Sequence, residues 1–425
     1  MKTEWRTTPL GKIVKCEGGA AFPHRYQGHR EGDYPFFKVS DMNTDANSWK
    51  MTQAANYVSQ RELAELRTKP KPRNSVIFPK VGGALLTNKK RMLAAPAAID
   101  NNLIAIWPLS ETDILPDFLY FYFLATDLAE LANPGPLPSI NASRIYEREI
   151  RIPPPAEQEK IAAVLWKIQK TVEIENAIVR NARDLKKSLL RRLFTHGLRG
   201  EPLKETEIGP LPQSWKVEPL SQVREFLQYG TSQRCELSGK GFPVLRIPNV
   251  VAGKIDTSEI KNADMPAKAA DNLRLVNGDL LFVRTNGQRD FVGRCAVYKS
   301  EPTNALFASY LIRARLFTDR VDPDFVQAYT MTDTGKSFLS GRSHGAADGK
   351  FNINTQTIDS MLIPVPPSDE QRETADILQT VDRKIDIHES KKHSLQELFK
   401  TMLNKLMTAQ IRVNDLDIDT SEVGG

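Results

Sequence analysis

The sequence predicts an α+β protein: two similar mixed α/β domains joined by two long antiparallel helices that form a coiled coil, arranged as a pseudo-two-fold internal repeat. Three observations predict it. The run Pro153-Pro154-Pro155-Ala156-Glu157-Gln158 returns as Pro366-Pro367-Ser368-Asp369-Glu370-Gln371, at an offset of 213 residues. Holding that offset, twelve of the 43 positions from Pro153 to Thr195 are identical, against roughly two or three expected from average residue usage. The stretches before the two runs also share landmarks in the same order. Trp5-Arg6-Thr7-Thr8-Pro9-Leu10 matches Trp215-Lys216-Val217-Glu218-Pro219-Leu220, and Ile140-Asn141 matches Ile353-Asn354.

Residues 1–152 read as the first globular domain, with strand patterns at 75–78 and 102–107 and one helical stretch at 117–132. Short β-type runs bounded by Pro, Gly and Asn give this reading. Residues 153–198 follow as a central long helix, because neither Pro nor Gly interrupts the chain from Ala156 to Gly197. Residues 199–365 are a linker and the second domain, with strands at 244–247, 279–284, 294–298 and 311–316 and a helix at 324–339. The second long helix is 366–410, and 411–425 reads as an acidic, frayed tail carrying Asp415, Asp417, Asp419 and Glu422.

Each long helix spans about 60 Å at ~1.5 Å per residue. In the first, Ile161, Leu165, Ile168, Val172, Val179, Ala182, Leu189 and Leu193 alternate at spacings of four and three, with Glu175 and Lys186 interrupting. Leu378, Val381, Ile385, Leu395, Phe399, Met402 and Leu406 repeat the pattern in the second. Two stripes of equal length predict pairing. A whole domain separates the helices in sequence, and like units meeting at one seam run antiparallel. Lys186, Lys187, Arg191 and Arg192 suit the negative end of the first helix.

Composition excludes several classes. No apolar run is long enough for a membrane span and no signal-peptide pattern opens the chain, so a cytoplasmic location is expected. Cys16, Cys235 and Cys295 show no metal-ligand spacing and read as reduced thiols; no metal site is expected. A net charge of +6 permits a polyanionic partner without requiring one. No phosphate-binding Gly loop, nucleophile elbow or zinc-protease motif occurs, and no catalytic residue is assigned. Asn133-Pro134-Gly135-Pro136 lacks the second proline and the aromatic of the amino-methyltransferase motif.

The two Trp-x-x-x-Pro-Leu openings and the two Pro-Pro-x-x-Glu-Gln helix starts resemble the specificity subunit of type I restriction-modification systems, over essentially the whole chain. Asn277-Gly278-Asp279-Leu280-Leu281-Phe282-Val283-Arg284-Thr285-Asn286-Gly287 is similar to that family's strand-and-loop run. The first copy departs, with Arg73-Asn74-Ser75 and Lys80-Val81-Gly82-Gly83 in the corresponding places. The resemblance implies a non-catalytic subunit. Each globular domain would be a target recognition domain reading one half of a bipartite, asymmetric site on double-stranded DNA. The helices would set the spacer and dock two methylation subunits, with two restriction/translocase subunits as further partners. S-adenosylmethionine, ATP and Mg would be bound by those partners, and no cofactor by this chain.

Basic residues in the Gly/Asn loops are the expected DNA contacts: Arg25, Lys80, Lys89, Lys90 and Arg91 in the first domain, and Arg234, Arg284, Arg289, Arg294, Arg342 and Lys350 in the second. Arg284, Asn286 and Arg289 are the candidates for reading base edges, and Lys89-Lys90-Arg91 for contacting phosphates. Two other classes fit parts of the pattern: a coiled-coil adapter that binds only proteins, and a self-contained DNA methyltransferase or nuclease.

Overall fold

The computed structural model describes residues 4–133, 135–237, 239–251, 253–345 and 349–421. Pro134 and Glu422 lie outside the described residues. The chain divides into two compact units, Met1–Glu175 with Ser390–Gly425, and Asn176–Glu389. Both divisions fall inside the long helices, Pro155–His196 and Ser368–Met407, rather than at their starts. Each half-helix packs into the core of its own unit, which is why the compact units differ from domains drawn along the sequence.

In the first unit the strand Arg6–Pro9 pairs antiparallel with Glu149–Ile152, closing the domain just before the long helix begins. The main sheet has five strands in the order Val14–Gly18, Leu103–Pro108, Val76–Pro79, Arg91–Leu93, Lys50–Met51. Its neighbours are antiparallel except the last pair. Asn56–Val58, Tyr34–Phe37 and Ala98–Ile99 form a second sheet. The helix Pro116–Ala125 buries Phe118, Tyr120, Phe121 and Phe123 against Val76, Phe78, Ile104 and Ile106. It is shorter than predicted because Thr126 is extended, and Asp127 caps a separate 3-10 turn by accepting from the Ala129 N–H.

The second unit repeats the plan. Lys216–Pro219 pairs antiparallel with Leu362–Val365. A four-stranded antiparallel sheet runs Arg224–Tyr229, Leu311–Leu316, Leu280–Val283, Cys295–Val297. The predicted helix at 324–339 is two helices, Pro323–Thr330 and Asp333–Gly341, because the Thr332 hydroxyl caps the second by accepting from the Gly335 N–H.

Long-helix segments run in opposite directions within each unit. In the first, Ile161 and Leu165 share a core with Leu403, Leu406, Phe399 and Met402, while Glu175, 2% exposed, meets Lys391 at 2.6 Å. In the second, Leu190, Leu193 and Phe194 pack with Ala375 and Leu378, and Lys186 meets Asp382 at 2.7 Å. Of the stripe residues, Val172, Val179, Val381 and Ile385 are also buried, and Ile168, Ala182, Leu189 and Leu395 are half-buried. Lys186, expected only to complement the helix end, is instead half of an ion pair.

The tail is a second correction. Residues 411–418 dock rather than fray: Val413 is 2% exposed, Ile411 and Ile418 pack on the first unit's core, and Arg412 grips Glu157 through Nε and Nη2 at 2.6 and 2.7 Å. Lys160 donates to the carbonyls of Asn414 and Leu416. Acidic composition concealed apolar side chains spaced to reach a core.

Candidate nucleic-acid interface

The repeated motifs are the frame on which the loops stand. Trp5 Nε1 donates to Glu157 at 3.3 Å, and Trp215 Nε1 to Glu370 at 3.0 Å, so the opening strand and the helix start lock together in both copies. Gln158 accepts from the Leu115 N–H and donates to the Pro153 carbonyl; Gln371 accepts from the Asp322 N–H and donates to the Pro366 carbonyl. Ile140 and Ile353 each donate their N–H to the carbonyl of the residue just after the central strand, Lys80 and Arg284 respectively, and Asn141 and Asn354 then cap short helices. These pairs position the loops and are structural.

The divergent run is explained by one coupled exchange. Asp279, 1% exposed, accepts from Arg315 through both oxygens at 2.8 Å and stands 3.6 Å from buried Arg313. In the first unit Ser75 stands in place of the acid, and strand pairing puts Ala105 and Trp107 where the two arginines stand. The carboxylate and its cations vary together, because removing one partner leaves a buried charge uncompensated. Asn74 takes the left-handed backbone, φ 63, that Gly278 supplies at φ 92.

The second unit gathers several of the predicted contacts around one small sheet, in which Thr285–Asn286 and His344–Gly345 flank Phe351–Asn352. Arg284 lies 4.8 Å from the Tyr229 ring and donates to the Ser309 carbonyl. Asn286 accepts from the Gln288 N–H, holding the Gly287 turn. Arg289 is exposed, 5.5 Å from the Phe351 ring, with Nε 3.3 Å from Ser343 Oγ. Tyr310, 55% exposed, is linked to the same place by its carbonyl, which accepts from the Arg284 N–H. Sequence reasoning missed Tyr229, Tyr310, Gln288 and His344, all exposed here; an aromatic or polar residue in a loop carries no mark until folding leaves it uncovered.

Arg342 and Lys350 border that sheet, two residues before His344 and one before Phe351. Arg294 stacks on Phe291 at 3.4 Å, and loss of solvent lowers its pKa. Arg342 lies over Phe338 and donates to Ser360, Arg234 pairs with Glu236, and Lys350 is exposed. In the first unit Arg25 is exposed over the Tyr26 ring, and half-buried Lys80 follows its strand beside Gly18. The group Lys89-Lys90-Arg91 is a correction. Lys90 is 1% exposed, donates to Asn88 Oδ1 and the Thr126 carbonyl at 2.7 Å, and burial lowers its pKa to about 8. Arg91 donates to the carbonyls of Asn47, Lys90 and Met42, and Lys89 bonds Asn43. Unpaired loop carbonyls, invisible in sequence, claim these cations.

The chain matches the family described as Type I restriction modification DNA specificity domain over residues 2–181 and 335–397, more than half its length. It belongs to that family. Among similar specificity-domain proteins, the type I restriction enzyme MjaVIII specificity subunit of Methanocaldococcus jannaschii is 23% identical, covering 97% of this chain and 94% of its own. The type I restriction enzyme EcoKI specificity subunit of Escherichia coli is 26% identical over 64% of this chain and 61% of its own. The crystal structure of a type I restriction-modification S subunit from M. genitalium shares the fold with TM-score 0.61 at 15% identity, covering 95% of this chain and 96% of that one. Among the described residues of this specificity-domain chain, no helix is long and apolar enough to cross a membrane.

Proposed function

We propose that this chain is the DNA sequence-recognition subunit of a type I restriction-modification complex. Its membership of the DNA specificity family carries the reading and speaks against the adapter and self-contained enzyme alternatives. Each α/β domain reads one half of a bipartite, asymmetric site, and the long helices pair as a coiled coil about a pseudo-two-fold axis. Their length sets the gap between half-sites, and they dock two methylation subunits, with restriction/translocase subunits joining the complex. S-adenosylmethionine, ATP and Mg belong to those partners and the complex works in the cytoplasm.

Arg284, Asn286 and Arg289 offer donors and an acceptor to base edges, and the neighbouring Tyr229 and Tyr310 offer flat surfaces to sugar and base. Methylation-site sequencing of cells carrying the chain with its methylation subunit tests the proposal. The expected result is adenine methylation at one split, non-palindromic sequence, with no methylation or cleavage by the purified chain alone. S-adenosylmethionine-dependent labelling of DNA by the chain as sole protein would refute it.

A further inference from the structure

The central strands of the two units share one hydrogen-bond register, and it gives the exposed group around Arg284 a counterpart in the first unit. Phe78 pairs with Ile104 as Phe282 pairs with Ile312, and Ile104 faces Gly18 as Ile312 faces Tyr229. Lys80 donates its N–H to the Asn102 carbonyl at 2.9 Å, and Arg284 donates to the Tyr310 carbonyl at 2.9 Å. Leu103 and Leu311 close the same four-residue turn by donating to the carbonyls of Asp100 and Ala308. A close approach beside the turn repeats too: a Cβ at Gly19 would stand 2.2 Å from the Ile99 carbonyl oxygen, and one at Gly230 2.1 Å from that of Phe307. Lys80 therefore takes the place of Arg284, Gly18 of Tyr229, Asn101 of Ser309 and Asn102 of Tyr310.

These exchanges change the chemistry on offer. Asn101 and Asn102 are both exposed at the tip of the turn, and the Asp100 carboxylate, 6% exposed, accepts the Asn102 N–H at 2.8 Å and so fixes the backbone that carries them. Lys80 keeps the positive charge of Arg284 but, as a single ammonium, lacks the planar fork that matches guanine O6 and N7. Its Nζ lies 3.0 Å from where a side chain on Gly18 would begin, so no ring flanks it as Tyr229 flanks Arg284. Val81 bridges Ser139 as Thr285 pairs with Asn352, which puts Leu137 in the place of Lys350. Leu137 is 65% exposed. An apolar side chain at a reading face has its match in the thymine methyl.

We propose that the Asn101-Asn102 turn is the specificity determinant of the first domain and reads the adenine of an A·T pair in its half-site, whereas Arg284 reads a guanine in the other. The inference rests on the DNA-recognition reading above and adds to it the class of base pair that each domain selects. A carboxamide presents a donor beside an acceptor, the complement of adenine N6 and N7 in the major groove, as the guanidinium fork is the complement of guanine. The methylated adenine gives up its N6 to the methylation subunit, so the pair read by the turn is a different one.

The full-length chain is assembled with its methylation subunit as wild type, as the double variant Asn101→Ala with Asn102→Ala, and as Arg284→Ala. Methylation-site sequencing is paired with competition binding to duplexes carrying each base pair at every position of the split site. The double variant should lose about fivefold or more of its discrimination at one unmethylated A·T pair of one half-site, and Arg284→Ala should do the same at a G·C pair of the other. Unchanged reading of the other half-site shows that the double variant is folded, and Asn101→Ser, which imports the residue of the second unit's turn, gives the same readout if it is not. A split site read unchanged by these turn variants, or one whose dependent position is a G·C pair or the methylated adenine, overturns the inference and leaves the recognition reading standing. A wild type that methylates no split site overturns both.

Discussion

Gln158 and Gln371 are each 1% exposed and each tie a loop N–H to a proline carbonyl at a helix start. Replacing either by Leu strands the same buried groups, so Gln158→Leu and Gln371→Leu should each cost about 1–3 kcal/mol in urea denaturation, to a similar extent. Lys90 yields a prediction of opposite flavour. Its folded pKa of about 8 lies below the ordinary lysine value of 10.5 because burial disfavours the charge. Between those two pH values the unfolded chain holds a proton that the folded chain has released, so unfolding free energy rises with pH across that window. Measured against Lys90→Met, which cannot titrate there, the wild type should gain stability from pH 8 to 10. A flat or falling difference would show that Lys90 keeps its proton.

At the scale of elements, the segment after the second long helix acts as a clamp. Removing residues 411–425 takes away Val413 from a core and both Arg412 bonds from buried Glu157, whereas removing 419–425 takes away neither. The longer truncation should lower the unfolding midpoint and the shorter one leave it nearly unchanged, as scanning calorimetry would read. Helix length is the second element-scale test. Four residues inserted after Ala177, with a matched insertion in the second helix, add one turn or ~6 Å. The methylated site should keep both half-sequences and widen its gap by about two base pairs at ~3.4 Å each. An unchanged gap would remove the helices as the ruler.

At the scale of the whole molecule, the two recognition domains should fail independently. Arg284→Ala or Asn286→Ala should relax discrimination in one half-site by ~1–3 kcal/mol per bidentate contact, leaving the other half-site intact in methylation-site sequencing. Equal loss across both halves would place these residues on the phosphate backbone instead. The first domain offers no matching trio, because Lys80-Val81-Gly82 replaces Arg284-Thr285-Asn286 in the corresponding run. Two unlike surfaces on one repeated frame are what an asymmetric target requires.

The sequence by itself determined the duplication, the two long helices, six strands at the centres of the two domains and the family, because these rest on periodicity and on short motifs whose spacing survives without coordinates. The Trp, Glu and Gln of those motifs recur since each makes the same buried bonds in both copies. Tertiary structure alone decided which cations are available. Lys90 and Arg91 look like a solvated basic cluster until loop carbonyls from Met42, Asn47 and Thr126 are brought to them. It also decided that the acidic tail docks and that Lys186 has a partner. Each of those outcomes depends on groups far apart in the chain, and pairing across such distances is set by packing, which no local pattern records.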